Sequence, residues 1–254
     1  MPTYSLKGSC AAPPARRHRM KDLTLSQIFE EAFDRARDLD APLGARLESI
    51  TESVRMANPA FAEAQDRLFM RLHLNGSGAT APAVGDPMPP FMLPDDQGHL
   101  VTLEELLAKG PVALSFQPGH WCPYCRINTN ALAQGQCEVE PIGSQIVAIT
   151  PDLPHFTTAL KADAAAMPFP ILTDVDNGYA LSLNLAIFFG LEMQKFIKEG
   201  ASDIAPYQGN DAWILPIPAT FVVGRDSIIR ARFVEPDARK RMAIDVIVDA
   251  LRAC

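Results

Sequence analysis

Apolar positions change their spacing along the chain. Between residues 22 and 75 they recur with a helical period, starting with Leu25, Ile28, Phe29, Ala32 and Phe33. Pro42 and then Asn58-Pro59 interrupt this run, which predicts three helices of roughly fifteen residues each. Asn75-Gly76-Ser77-Gly78, followed by Pro82, Pro87, Pro89 and Pro90, has the composition of a linker. Beyond it, short continuous apolar runs alternate with helical stretches. Strands are predicted over 112–116, 145–149 and 169–172, with helices over 124–135 and 154–166 between them. Residues 176–198 read as mostly helical with a break near Gly190. A hairpin is predicted from 220–223 and 228–234 across Gly224-Arg225-Asp226-Ser227. The chain closes with an amphipathic helix over 237–252, whose apolar stripe is Ala243, Ile244, Ile247, Val248 and Leu251. Strands alternating with helices predict an α/β sheet covered on both faces.

These patterns divide the chain into a tail over 1–20, a helical arm over 21–76 and a main domain over 81–254. The first 21 residues hold Lys7, Arg16, Arg17, Arg19 and Lys21 and no acidic residue. No apolar segment follows them, so a disordered tail is expected rather than a secretory signal. The arm carries no chemical motif. It is expected to pack on the main domain or on a second subunit, which leaves a homodimer open.

Composition narrows the function classes. A net charge of −7 over 254 residues argues against a nucleic-acid partner. The longest tempting apolar stretch, 181–191, is broken by Ser182, Asn184 and Gly190, so no membrane partner is expected. Cysteines at 10, 122, 125, 137 and 254 are too few for a secreted disulfide framework. The expectation is a cytoplasmic protein with one redox pair.

That pair lies in Pro118-Gly119-His120-Trp121-Cys122-Pro123-Tyr124-Cys125, directly after the apolar run 112–116. A strand running into a helix start presents unpaired backbone N–H groups and a partial positive charge. A thiol placed there loses its proton more readily and becomes a nucleophile. His120 is a neighbouring group able to tune it. Cys137 is expected as a buried small residue near the end of the following helix. Cys10 and Cys254 have no expected role. A metal site would need a second ligand pair, and none is present, so no metal is expected. No glycine-rich phosphate loop occurs, so no flavin or nicotinamide cofactor is expected. Asp174-Val175-Asp176-Asn177-Gly178 reads as a turn and helix cap, because it lacks the later ligands of a calcium loop.

Three segments together resemble the peroxiredoxin-like (alkyl hydroperoxide reductase/thiol-specific antioxidant) branch of the thioredoxin superfamily. Val84-Gly85-Asp86-Pro87-Met88-Pro89-Pro90-Phe91 is similar to that family's opening, and 95–103 to its first hairpin. Pro118, Cys122 and Cys125 form P-x-x-x-C-x-x-C, in which Cys125 falls on the peroxidatic position and Cys122 replaces a threonine or serine. Ile217-Pro218-Ala219-Thr220 is similar to the stretch where thioredoxins carry a cis-proline facing their cysteines, so a cis bond is expected at Pro218. The resemblance implies a thioredoxin-like α/β fold, in its peroxiredoxin variant, preceded by a helical extension. It implies a thiol-dependent peroxidase, an antioxidant oxidoreductase reducing hydrogen peroxide or alkyl hydroperoxides through Cys122 and Cys125. Pro118, Trp121 and Pro218 would contact the substrate, and a thioredoxin- or glutaredoxin-like protein would supply electrons. The chain departs from the family at Pro218, where many peroxiredoxins have an arginine. Arg126 is the nearest replacement, ahead of Arg225 and Arg230. Peroxiredoxin logic makes Cys125 the attacking thiolate, and thioredoxin logic makes it Cys122; both orders stay open. The alternative functions are a thiol-disulfide oxidoreductase with a disulfide as its substrate, and a redox-sensing interaction module.

Overall fold

A computed structural model describes residues 23–164, 169–200 and 202–254; the tail expected over 1–20 lies outside them. The arm forms the three helices read from its pattern. They are α1 (Leu25–Arg37), α2 (Leu43–Ala57) and α3 (Pro59–Leu74). Local chemistry sets their starts. Thr24 and Gln27 cap α1 reciprocally, each side chain bonding the other's backbone N–H. Asn58 accepts from the Phe61 amide at 3.0 Å, and Pro59 occupies the first turn of α3.

The main domain opens with the hairpin β1 (Met92–Pro94) and β2 (Leu100–Thr102), then α4 (Leu103–Lys109). There follow β3 (Val112–Phe116), α5 (Pro123–Val139), β4 (Gln145–Thr150), α6 (Pro154–Asp163) and β5 (Ile171–Thr173). Next come α7 (Gly178–Ser182), β6 (Ala186–Phe188), α8 (Leu191–Glu199), α9 (Ala205–Gln208) and β7 (Ile214–Pro216). The chain ends with β8 (Ala219–Val223), β9 (Ile229–Val234) and α10 (Ile244–Arg252). The central sheet runs β5-β4-β3-β8-β9. β3, β4 and β5 are parallel, and β8 and β9 each run antiparallel to their neighbour. Side chains alternate across it. Leu114, Phe116, Val147 and Phe221 enter a core on one face, and Ala113, Ile146, Ala148 and Val222 enter a second core under α5, α6 and α10. This is the thioredoxin-like α/β fold with an N-terminal helical extension.

The arm is built into the main domain. Its apolar residues share one core with Cys122, Tyr124, Cys125, Ile127, Phe189 and Trp213. Buried Arg46 of α2 donates to the Ala36 carbonyl at 2.9 Å and to Asn130 Oδ1 of α5 at 2.8 Å. Arg126 of α5 reaches Glu30 of α1 at 2.6 Å and stacks over Phe33, 3.7 Å from the ring centre. Covered by sheet on one side and arm on the other, α5 is buried nearly all round.

Four expectations need correction. Residues 176–198 are not one interrupted helix. Asp176, Asn177 and Asn184 adopt positive φ, and 186–188 is a strand paired with β7. The Asp174 carboxylate accepts from the amides of Tyr179 and Ala180 at 2.8 Å, which starts the short α7. The closing helix begins at Ile244 rather than 237. Asp237 instead accepts from the backbone and side chain of Arg239, at 3.0 and 2.8 Å, and holds a turn. The Ile217–Pro218 bond is trans, since the described residues contain no cis peptide. The chain runs extended from β7 to β8 there, with Ile217 donating to the Leu185 carbonyl and Glu235 donating to the Pro218 carbonyl. Cys137 is exposed on the outer side of α5 rather than buried. No helix among the described residues is long and apolar enough to cross a membrane.

A shared core makes the arm and the main domain unfold together. Ile50→Ala in α2 and Ile127→Ala in α5 should each remove about 2–5 kcal/mol of stability. In urea titrations both should shift one transition, seen alike by circular dichroism and tryptophan fluorescence. Two separated transitions would contradict the shared core.

Candidate active site

β3 ends at Phe116 and α5 begins at Pro123, so six residues turn the chain and deliver both sulfurs to one helix start. Gln117 anchors the exit from β3. Its amide donates to the Ile149 carbonyl at 2.9 Å, and its side chain bonds Thr129 of α5 at 3.0 Å. Gly119 has φ +140°, and a Cβ there would lie 2.5 Å from Asp152 Oδ1. Glycine therefore lets the loop close on Asp152, whose Oδ2 accepts from the His120 amide at 2.7 Å. Cys122 is the N-cap of α5 and Pro123 its first residue. Both cysteines are free thiols, Cys122 4% exposed and Cys125 fully buried.

The two sulfurs have opposite electrostatics. Burial opposes ionisation of Cys122, but a hydrogen bond with Cys125, the charge of Arg241 and the amides of Cys125 and Tyr124 outweigh it. The Cys122 thiol is thus held below the ordinary range. Burial and the adjacent Cys122 push Cys125 well above it, with Arg241 pulling the other way. Arg241 Nη2 lies 3.5 Å from Cys125 Sγ. Its Nη1 is fixed by the carbonyls of Ala238 and Lys240, at 2.6 and 2.7 Å.

Arg241, rather than Arg126, is thus the arginine that lies beside the sulfurs. Arg126 faces away, bonded to Glu30 and to Asp163. Arg225 donates to the carbonyls of Ala108 and Lys109, and Arg230 pairs with Asp226. A predicted helix over 237–252 gives no hint that Arg241 turns inward. The only trace is the basic run Arg239-Lys240-Arg241 after Pro236-Asp237, at odds with a smooth amphipathic stripe.

Asp152 is the second group missed by the pattern. It follows β4 at Thr150-Pro151 and is fully buried. Burial pushes its carboxyl up to about 7, against the pull of the His120 amide, and Cys125 adds to the rise. His120 itself contacts Asp163 at 3.0 Å through Nε2, and belongs to the Arg126 network.

Pro118, Trp121 and Pro218 do come together with Cys122. They line one apolar pocket, whose far wall is α3. Trp121 Nε1 donates back to the Pro118 carbonyl at 3.3 Å, and its ring packs on Phe189 at 5.7 Å. Cys125 lies behind Cys122, off the pocket wall. Among the described residues no group of three acidic, histidine or cysteine side chains is placed to hold a metal.

Residues 84–232, more than half of the chain, match the AhpC/TSA family. The chain belongs to the AhpC/TSA family. It is also similar to the thiol:disulfide interchange protein DsbE of Pseudomonas aeruginosa, 28% identical over 167 residues, 66% of this chain and 75% of that one. Among solved structures, the peroxidoxin BcpB of Mycobacterium tuberculosis is 23% identical with a TM-score of 0.50, covering 67% of this chain and 96% of its own. Peroxiredoxin 6 of Arenicola marina is 15% identical with a TM-score of 0.54, covering 67% and 72%. These structures share the fold. The AhpC/TSA match starts at residue 84, so the arm, with its wall of the pocket, lies outside it.

Two outcomes follow from the electrostatics. Arg241→Gln removes the charge beside the sulfurs, so the lower thiol titration, read by thiolate absorbance, should move to higher pH. An unmoved titration would mean that the helix amides suffice alone. For Asp152, the folded value of about 7 lies above the unfolded value of 3.8. Its contribution to stability is therefore complete below about pH 4 and is lost as pH rises through about 7, at up to about 1.4 kcal/mol per pH unit. Asp152→Asn should abolish that fall in stability, measured by urea unfolding at pH 5 and pH 8.

Proposed function

We propose that this AhpC/TSA protein is a dithiol peroxidase in which Cys122 attacks the peroxide and Cys125 resolves. The observation that carries the reading is the asymmetry of the pair. Cys122 faces the pocket with a lowered thiol, whereas Cys125 lies behind it with a raised one. The Cys122 thiolate attacks the terminal oxygen of R–O–O–H. The O–O bond breaks, the alkoxide leaves as alcohol after taking a proton, and Cys122 becomes a sulfenic acid. Cys125 then attacks the Cys122 sulfur, water leaves, and a Cys122–Cys125 disulfide forms. Asp152, buried beside Cys125, is suited to accept the resolving thiol's proton. An external dithiol, of thioredoxin or glutaredoxin type, returns both sulfurs to thiols. A reducing compartment such as the cytoplasm suits such a cycle.

The size of the pocket favours a peroxide over a protein disulfide. Its cavity is about 40 Å³, room for about three water-sized groups. Arm residues wall it, so a small peroxide reaches Cys122 more readily than a folded partner does. Disulfide exchange is the second reading. It is favoured by the same Cys122-first order, and by the relative named a thiol:disulfide interchange protein.

The test is a stopped-flow reaction of reduced protein with hydrogen peroxide, followed by dimedone trapping. Cys125→Ser should keep the fast oxidation and carry the dimedone adduct on Cys122. Cys122→Ser should react no faster than a free thiol. A fast reaction with the adduct on Cys125 would reverse the order. Slow reaction of the wild type, with rapid reduction of insulin disulfides, would replace the peroxidase by the second reading.

A further inference from the structure

The apolar stripe of α3 contains one polar residue. Phe61, Leu68, Phe69 and Leu72 are buried at helical spacing, and Gln65 stands among them where an apolar residue would be expected. Gln65 is 9% exposed and lines the Cys122 pocket. Its carboxamide has no hydrogen-bond partner among the described residues. Its polar atoms are not sealed from solvent, so the carboxamide stays open to whatever enters the pocket. The arm offers no structural reason for the polar group.

The pocket offers a chemical one. The rest of its wall is apolar, with Phe61 and Phe69 from the arm and Trp121 and Phe189 from the main domain. A carboxamide both donates and accepts, as a hydroperoxy group does. The cavity of about 40 Å³ holds the hydroperoxy group and its first carbons, with any longer tail directed to the mouth. We propose that Gln65 is a substrate-positioning residue, which hydrogen-bonds an organic hydroperoxide whose apolar body lies between α3 and the Cys122 loop. The arm is then a specificity element of the active site. Salt bridges tie it to the main domain: Asp66 to Arg239 at 2.6 Å, and Arg67 to Glu192 at 2.7 Å. This inference rests on the peroxidase reading for its substrate, although the binding site itself does not.

The test uses full-length wild type and Gln65→Leu, with cumene hydroperoxide as substrate and its unreactive alcohol, 2-phenyl-2-propanol, as binding probe. In the variant the KM for cumene hydroperoxide should rise about fivefold or more, with kcat within about twofold, as expected for one lost hydrogen bond. The alcohol should protect Cys122 of the wild type from alkylation by iodoacetamide. The variant should need about fivefold more alcohol for the same protection. Alkylation without alcohol should proceed equally in both, which separates lost positioning from a disturbed fold. Unchanged KM and unchanged protection in Gln65→Leu overturn the proposal, as does a wild type that the alcohol does not protect. Protection that depends on Gln65, in a protein that turns over no peroxide, would support the site and overturn the peroxidase reading alone.

Discussion

A sulfur withdrawn from water ionises only where local charge and dipoles outweigh the lost solvation. At 4% exposure, Cys122 meets this condition because several distant parts of the chain converge on it. The start of α5 supplies amides, the segment before α10 supplies Arg241, and Cys125 supplies a hydrogen bond. Each source depends on the fold around it. The amides point at the sulfur because β3 runs straight into α5 through a loop that Gly119 lets close on Asp152. Arg241 reaches the pair because Asp237 ties down Arg239 and delays the closing helix until Ile244. Burial that would silence an isolated thiol thus separates the two cysteines into a readily ionised one and a reluctant one.

The arm shares in that constraint. α5 carries both cysteines near its start, and a helix buried on nearly all sides needs a second layer to cover it. α1 and α2 supply this cover, held by Arg46, Arg126 and the phenyl ring of Phe33. α3 then closes over the mouth of the active-site loop. The same packing that stabilises α5 excludes water from Cys122 and gives the pocket its aromatic wall. Stability and access therefore oppose each other here: a tighter arm dries the sulfur, and a looser one admits larger partners.

The arm helices and the buried strands were legible because their signals are local. Pro42 and Asn58-Pro59 mark helix boundaries by backbone sterics, and 112–116 and 145–149 read as buried strands because both faces of the sheet are covered. Over 176–198 the local pattern misleads, because three positive-φ positions and a pairing with β7 cut the apolar period, and pairing partners lie outside any local window. At Pro218 the resemblance to thioredoxins misleads, because here the backbone bonds at Ile217 and Glu235 accompany an extended trans path.

The amino-acid sequence by itself determined the fold class and the position of the C-x-x-C cysteines at a helix start, since strand, turn and C-x-x-C are contiguous. Pro118, Trp121 and Pro218, expected from the family resemblance, line the pocket beside Cys122. Tertiary structure alone decided which sulfur faces the pocket, which arginine faces the sulfurs and what covers them. Arg241, Asp152 and Gln65 lie far from the motif in sequence. Their influence on it is electrostatic and steric, and both depend on distance in space, which the order of residues does not record.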